Sequence, residues 1–289
     1  MRAFGFIQAE KAHFPISVLC ETCGVSRTGF YDWLDRAPSA REESDRALRS
    51  HIRGAHSKSH GTYGSPRVTA ELRGQGHVVG QKRVARLMRE AGLQGRPRRR
   101  WVRTTDSDHQ QPVAENLLDR NFEVDAPNKV WAADLTYIPT AEGWLYLAVV
   151  LDLFSRKVVG WAAAGHMRKE LCIEALNKAL VLRSPEPGFI HHSDRGSQYA
   201  SKAHRKLLDQ AGAKCSMSRK GNCWDNAVVE SFFGSLKQEL IHTKPWPSRR
   251  AALQAISTYL HQFYNPVRRH SANGHLSPNE REQRHQAAA

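Results

Sequence analysis

The stretch VWAADLTYI, residues 130–138, sets an acid, Asp134, inside an apolar, strand-like run. An acid in a half-buried strand is costly unless it is paired or holds a metal. Working outward, residues 144–151 and 157–163 read as two further strands, reached through short turns at 141–143 and 154–156. Residues 145–151 are almost continuously apolar, as a central strand covered on both faces is. A helical pattern follows at 169–182, a short buried strand at 189–192, a helix at 202–211 and a strand-like run at 213–217. After a glycine-containing loop at 218–226 comes a helix at 227–240. Three strands, then helix, strand, helix, strand, helix, is a mixed α/β order.

Two more acids stand out by their settings. Asp194 follows the short strand and opens the polar turn HSDRGSQYAS, and Glu230 begins the helix AVVESFFGSLKQEL. Thirty-five residues lie between Asp194 and Glu230. Carboxylates brought from a strand, a strand end and a helix suit Mg²⁺, which takes hard oxygen ligands and leaves coordination sites for water and phosphate. Two such ions stabilise the attacking and leaving oxygens of a phosphoryl transfer. With 28 acids in the chain, spacing alone selects nothing; the flanking residues carry the reading. Asp152, at a tight turn, and Asp225, ahead of a helix whose dipole favours an acid, are read as structural. His191 and His192 are read as packing at the strand edge. On the Glu230 helix, Val229, Phe233, Leu236 and Leu240 are expected to face the core, while Asn226, Glu230, Gly234 and Lys237 form a neighbouring stripe.

The net charge of +15 is concentrated. Residues 53–105 hold thirteen Lys or Arg against Glu71 and Glu90, leaving the rest of the chain an excess of four. Such a segment is the footprint of phosphate neutralisation, the other reading being a solvated surface. Within it a helix from 81 to 92 carries Val84, Leu87, Met88 and Ala91 on one face and Lys82, Arg83, Arg86 and Arg89 on the remainder, an arrangement able to lie in a DNA groove. RPRRRWVR, residues 96–103, reads as an extended arm for minor groove or backbone, with Arg96, Arg98, Arg99, Arg100 and Arg103 interleaved by Trp101, or as a linker. Residues 14–36 read as helix, turn, helix: Pro15 starts, Gly24 ends, Ser26 caps, and Phe30, Trp33 and Leu34 share a face. A plain helical hairpin is the alternative. Cys20 and Cys23 form a lone C-x-x-C without a second tight pair, so they read as core residues more than as a zinc site. Five cysteines, no secretory signal and no apolar run of the ~20 residues that cross a bilayer point to a cytoplasmic protein without a membrane partner.

WAADLTYI, HSDRGSQYAS and KGNCWDNAVVESFFGSLKQE together resemble the catalytic motifs of bacterial transposases of the insertion-sequence-three family, in particular its second-frame catalytic protein, OrfB. That family belongs with the retroviral integrases. Its signature is an Asp, Asp, Glu triad with thirty-five residues between the last two and a basic residue seven after the Glu, where Lys237 stands. Gly61–Arg67 (GTYGSPR) and 82–89 (KRVARLMR) are similar to the family's preceding DNA-binding module, and YNPVRRHS from Tyr264 with Ser277 and Pro278 to its C-terminal motif. Asn273 departs from the family, which has Leu before a Gly there.

The resemblance implies a ribonuclease H-like mixed-sheet core preceded by small all-α helix-turn-helix modules. The expected division is 1–38 helical, 40–97 basic and helix-turn-helix-like, 98–125 an Arg-rich linker, 126–241 catalytic core and 242–289 a helical tail. Asp134, Asp194 and Glu230 would hold Mg²⁺ or Mn²⁺, two ions, for end cleavage and 3′-hydroxyl strand transfer on double-stranded DNA, with Lys237 meeting a phosphate. The alternatives are a helix-turn-helix regulator with an inactive core and a nuclease that cuts without joining. Pairing two ends calls for a homo-oligomer, and the chain shows no sustained heptads of its own. The family's first-frame product, normally fused by frameshifting, is the expected partner. Deleting residues 1–105 is expected to weaken end binding and leave a foldable core.

Overall fold

The computed structural model describes residues 3–96, 114–119, 122–219 and 223–288. They fall into two compact units, Met1–His51 and Ile52–Ala289. The first unit contains α1 (Ala3–Glu10), α2 (Ile16–Thr22), α3 (Arg27–Leu34) and the start of α4 (Ala40–Lys58). Ser26 caps α3 as expected, its hydroxyl accepting from Gly29 N at 3.0 Å, and Gly24 takes the left-handed backbone that ends α2, with φ +65°. Ile7, Leu19, Cys20 and Phe30 are buried together, with Cys23 and Trp33 packed against them, so both cysteines belong to this small core. Leu34, expected on the same face, is exposed. The helix α1 that supplies Ile7 falls within the helical stretch expected at 1–38, ahead of the helix-turn-helix read at 14–36.

The second unit begins within α4 and continues with α5 (Ser65–Gly74) and α6 (Gln81–Glu90). Val68 and Leu72 of α5 are buried, as are Val84, Leu87 and Met88 of α6, while Ala91 ends up only half-buried just past the helix.

The sheet follows: β1 (Val130–Thr140), β2 (Gly143–Asp152), β3 (Val158–Ala164), then α7 (Lys169–Arg183), β4 (Ile190–Ser193), α8 (Ser197–Ala200), α9 (Lys202–Gln210) and β5 (Lys214–Met217). Spatial order is β3-β2-β1-β4-β5. β1, β2 and β3 are antiparallel neighbours, and β4 and β5 add in parallel beyond β1. This is the ribonuclease H-like arrangement. Residues alternate across it: Trp131, Ala133, Ala148, Val150 and Ala162 are buried against Leu171, Cys172, Ala175, Leu176 and Ala179 of α7. The approach of β3 to α7 is close enough to demand a glycine. A Cβ on Gly160 would sit 2.3 Å from the Ala175 carbonyl oxygen and 2.7 Å from Ala179 Cβ. Gly160→Ala is therefore expected to cost about 2–3 kcal/mol by overpacking, a Tm drop of roughly 6–10 °C for a unit of this size. Thermal unfolding checks it, and an unchanged Tm would mean that α7 can move away freely.

α10 (Ala227–Glu239), α11 (Arg249–Thr258) and α12 (Pro278–Ala288) complete the chain. α11 runs on into a π-helical turn, Tyr259–Tyr264, whose Tyr259, Leu260, Phe263 and Tyr264 are buried. α10 buries a wider arc than the apolar spacing suggests: Phe232, Ser235 and Glu239 are covered as well as Val229, Phe233 and Leu236, and Leu240 is only half-buried. The reason is the tail. Arg268, 3% exposed, donates to both carboxylate oxygens of Glu239 at 2.7–2.8 Å and to Ser235 Oγ at 2.9 Å. Tyr259 donates its hydroxyl to Glu239 at 2.8 Å. The tail also reaches β3 and α7: Asn265 bonds Val158 through both side-chain atoms, and Glu282 receives Lys157, just before β3, and Arg183 of α7. Asn273, the departure from the family, is itself buried and donates to the Ser155 carbonyl at 2.7 Å, so a polar side chain has its partner there.

Candidate active site

The β1–β4 register runs Val130 with Ile190 through Ala133 with Ser193. One residue further on each strand stand Asp134 and Asp194. Parallel neighbours lie about 4.8 Å apart, so Asp134, midway along β1, and Asp194, just past the carboxyl end of β4, stand side by side. Each is half-buried, and each is oriented by a local backbone donor: Leu135 N gives to Asp134 Oδ1 at 2.7 Å, Gly196 N to Asp194 Oδ1 at 3.0 Å. Gly196 leaves that turn room, since a Cβ there would sit 3.0 Å from the same carboxylate oxygen.

Glu230 comes from α10, one turn after Asn226. Asn226 is buried and donates its Nδ2 to the Ala133 carbonyl at 3.3 Å, tying the start of the helix to the strand residue before Asp134. Glu230 itself is exposed. The electrostatics register the three acids as neighbours. Burial holds the Asp134 carboxyl well above the usual range, and the negative charges of Asp194 and Glu230 push it the same way; the Leu135 amide and Lys237 oppose them. Burial lowers Lys237 in turn, partly offset by Asp134.

Burial and two neighbouring negative charges raise the proton affinity of Asp134, a repulsion that a hard divalent cation would relieve. Among the described residues no three His, Cys, Asp or Glu side chains are gathered tightly enough to cage an ion. Carboxylate oxygens are the hard donors that Mg²⁺ takes, so the chemistry of the three side chains fits that ion.

The two structural acids are structural here, though one for a different reason. Asp152 is buried at the β2 turn and accepts from Asn128, Phe154 and Ser155 amides. Asp225 is no solvated helix-start acid: it is fully buried, and it accepts from Arg219 N, Nε and Nη2 and from Asn116 Nδ2 at 2.9–3.1 Å. Both histidines lie in the interior of the sheet, not at its edge. His192 sits between Ser216 Oγ at 2.9 Å and Ser218 Oγ at 3.1 Å, and burial lowers it to about 4, so it is neutral at pH 7. Burial, then His204, lowers His191 as well.

Among the basic candidates, Lys82 and Arg89 of α6 are exposed and Arg83 is half-buried; Arg86 is engaged with Glu90 at 2.8 Å. Arg96 is exposed and reaches the Gln238 carbonyl of α10 at 3.1 Å, next to Lys237, a link that sequence distance concealed. Arg98, Arg99, Arg100 and Arg103, with Trp101, lie outside the described residues. A cavity of about 650 Å³ opens between the start of α7 and helices α8 and α9, lined by Arg168, Lys169, Glu170, Gln198, Lys202 and Arg205.

Family models match this chain over three stretches: an integrase core domain at residues 124–223, a second integrase core domain model at 211–278 and an HTH-like domain at 42–101. The transposase InsF of insertion sequence IS3A from Escherichia coli (strain K12) is 41% identical over 98% of this chain and 99% of its own. The chain belongs to the insertion-sequence-three transposase family. A 31 kDa protein of insertion element IS600 from Shigella sonnei is 47% identical over 94% of this chain and all of its own. Among solved structures the chain is similar to the HTLV-2 integrase catalytic core domain in complex with magnesium, at 19% identity and a TM-score of 0.42, over 54% of this chain and 97% of that one.

Proposed function

We propose that this chain is the catalytic transposase of an insertion sequence, cleaving DNA at the element's ends and joining the freed 3′-hydroxyls to a target strand. The observation that supports the reading is the register that sets Asp134 of β1 beside Asp194 at the end of β4, with Glu230 on a helix tied to β1. These three acids hold the divalent ions, Mg²⁺ or Mn²⁺, which when bound activate the attacking oxygen and stabilise the leaving one. The protein's own part is placement. Leu135 N and Gly196 N fix the two aspartates, Asn226 fixes the start of α10, and Lys237 lies where a phosphate beside the acids would be met. Exposed Lys82 and Arg89, with Arg83, Arg86, Arg96 and the arm carrying Arg98, Arg99, Arg100 and Arg103, hold the duplex. The division into 1–38, 40–97, 98–125, 126–241 and 242–289 belongs to this proposal, as does a cytoplasmic protein bound to the nucleoid. Among the described residues no helix is long and apolar enough to cross a membrane.

The test is a product assay on duplexes carrying the element's own terminal repeats, with Mg²⁺ or Mn²⁺. Branched or target-linked DNA is the expected product. Cleavage without it would point to a nuclease, and binding without either to a regulator. The chain alone is expected to join paired ends poorly, and fusion to the upstream first-frame product to raise joining about tenfold or more by linking protomers at high effective concentration. Equal joining by both forms would remove the dependence on that partner.

A further inference from the structure

Lys237 is shared between the acids and a pair of aromatic rings. Its charge acts on Asp134, and its Nζ lies 5.3 Å from the centre of the Tyr137 ring. Tyr137 meets Trp144 edge to face, with ring centres 4.9 Å apart and an interplanar angle of 82°. The strand register accounts for this pair. Tyr137 stands opposite Tyr146, and Trp144, two residues before Tyr146, projects from the same face of the hairpin. Tyr137 is three residues beyond Asp134, roughly 10 Å along the strand at the usual rise.

Trp144 keeps 47% of its surface exposed, yet its backbone is firmly held. Arg249 Nε donates to the Trp144 carbonyl at 3.0 Å, Arg249 N donates to Glu142 at 2.8 Å, and Ala141 N donates to the Trp246 carbonyl at 2.9 Å. A hairpin pinned by α11 thus presents an indole to solvent, with Arg249 on its own carbonyl and Lys237 on the neighbouring Tyr137 ring. Alternation along β1 puts these rings on the face opposite Asp134, and Lys237 is the side chain that reaches toward both. Aromatic surface bracketed by cations is the chemistry that stacks nucleobases and meets their phosphates.

We propose that Tyr137 and Trp144 form a platform for one unpaired nucleobase of the DNA strand held at the acids, with Lys237 and Arg249 flanking it for backbone phosphates. The proposal rests on the reading of the chain as a transposase. It gives that reaction a needed part: bringing a strand end to the acids separates a base from its partner, and an aromatic surface recovers the lost stacking.

The experiment measures binding of the full chain, so it does not depend on turnover. The probes are duplexes with the element's terminal repeat: fully paired, forked by two unpaired terminal nucleotides, and forked with those two nucleotides abasic. The native chain is expected to bind the forked end about tenfold more tightly than its abasic counterpart. Trp144→Ala should lose that preference while binding the abasic fork as the native chain does, and Trp144→Phe, which keeps a stacking face, should retain most of it. Unfolding midpoints of both variants are measured alongside. The platform is overturned if Trp144→Ala keeps the preference, or if it weakens all three probes equally. It is also overturned if the substitution changes only self-association in sedimentation, since the indole would then be a contact between copies. Failure of the transposase reading is seen separately, as absence of Mg²⁺-dependent cleavage and joining by the native chain.

Discussion

Asp134→Asn, Asp194→Asn and Glu230→Gln are each expected to reduce Mg²⁺-supported cleavage and joining by about a thousandfold or more. Metal-assisted stabilisation of developing charge is worth several kcal/mol, and each ~1.4 kcal/mol is a factor of ten in rate. Duplex binding should stay close to the native level, because the exposed bases of α6 and Arg96 are untouched. A second readout separates loss of ligands from damage to the fold. Asp134 is half-buried, and the charges of Asp194 and Glu230 raise its proton affinity, so the ionised site is repulsive in the absence of a cation. Replacing Asp134 by Asn removes that repulsion and should raise the metal-free unfolding midpoint. Added Mg²⁺ should raise the native midpoint by linkage and leave the variants unmoved. Substantial joining by any of the three variants would remove that residue from the set.

The sheet and the acids were legible in the sequence because their signals are local. A run such as residues 144–151 reports its own burial, and an Asp inside residues 130–138 reports its own cost; observed strand ends differ from expectation by two residues or fewer. What stayed hidden was carried by pairings distant in sequence. Glu239 and Arg268 look like surface charges until the tail folds over α10, and Asp225 looks like a helix-start acid until Arg219 and Asn116 close on it. Tyr137 lies in the strand run 130–138, and only the folded chain brings Lys237 of α10 to its ring. Asn226 had a usable signal: it sits four residues before Glu230 on the same stripe, where an amide could anchor the helix.

The same long-range pairings argue against one expectation, that removing residues 1–105 leaves a foldable core. α5 and α6 are built into the unit that holds the acids. Arg269 pairs with Glu71 of α5 with only 12% and 17% of the two side chains exposed, and Arg269 N donates to Tyr63 Oη at 2.7 Å. His60 packs its ring on Phe263 at 5.1 Å, and Arg67 approaches Glu239 at 3.6 Å beside Arg268. Deleting through residue 105 takes Glu71 from Arg269, which keeps Glu280 at 3.9 Å and the His275 carbonyl at 2.8 Å, at about 1.5–3 kcal/mol for the lost charge-assisted bonding. The lost hydroxyl partner adds about 1 kcal/mol. The burial of Phe263 beneath His60 and Tyr63 is lost too. Against a total stability of roughly 5–15 kcal/mol that is a substantial part of the margin. Residues 52–289 are therefore expected to unfold in one cooperative transition and to keep salt-dependent duplex binding, since the basic segment 53–105 remains. Residues 106–289 are expected to lack a sharp transition and to be largely insoluble. Denaturation of the two fragments, followed by circular dichroism, decides the matter. A cooperative transition for 106–289 within a few degrees of the longer fragment would show that the catalytic helix does not need α5 and α6 to stand in place.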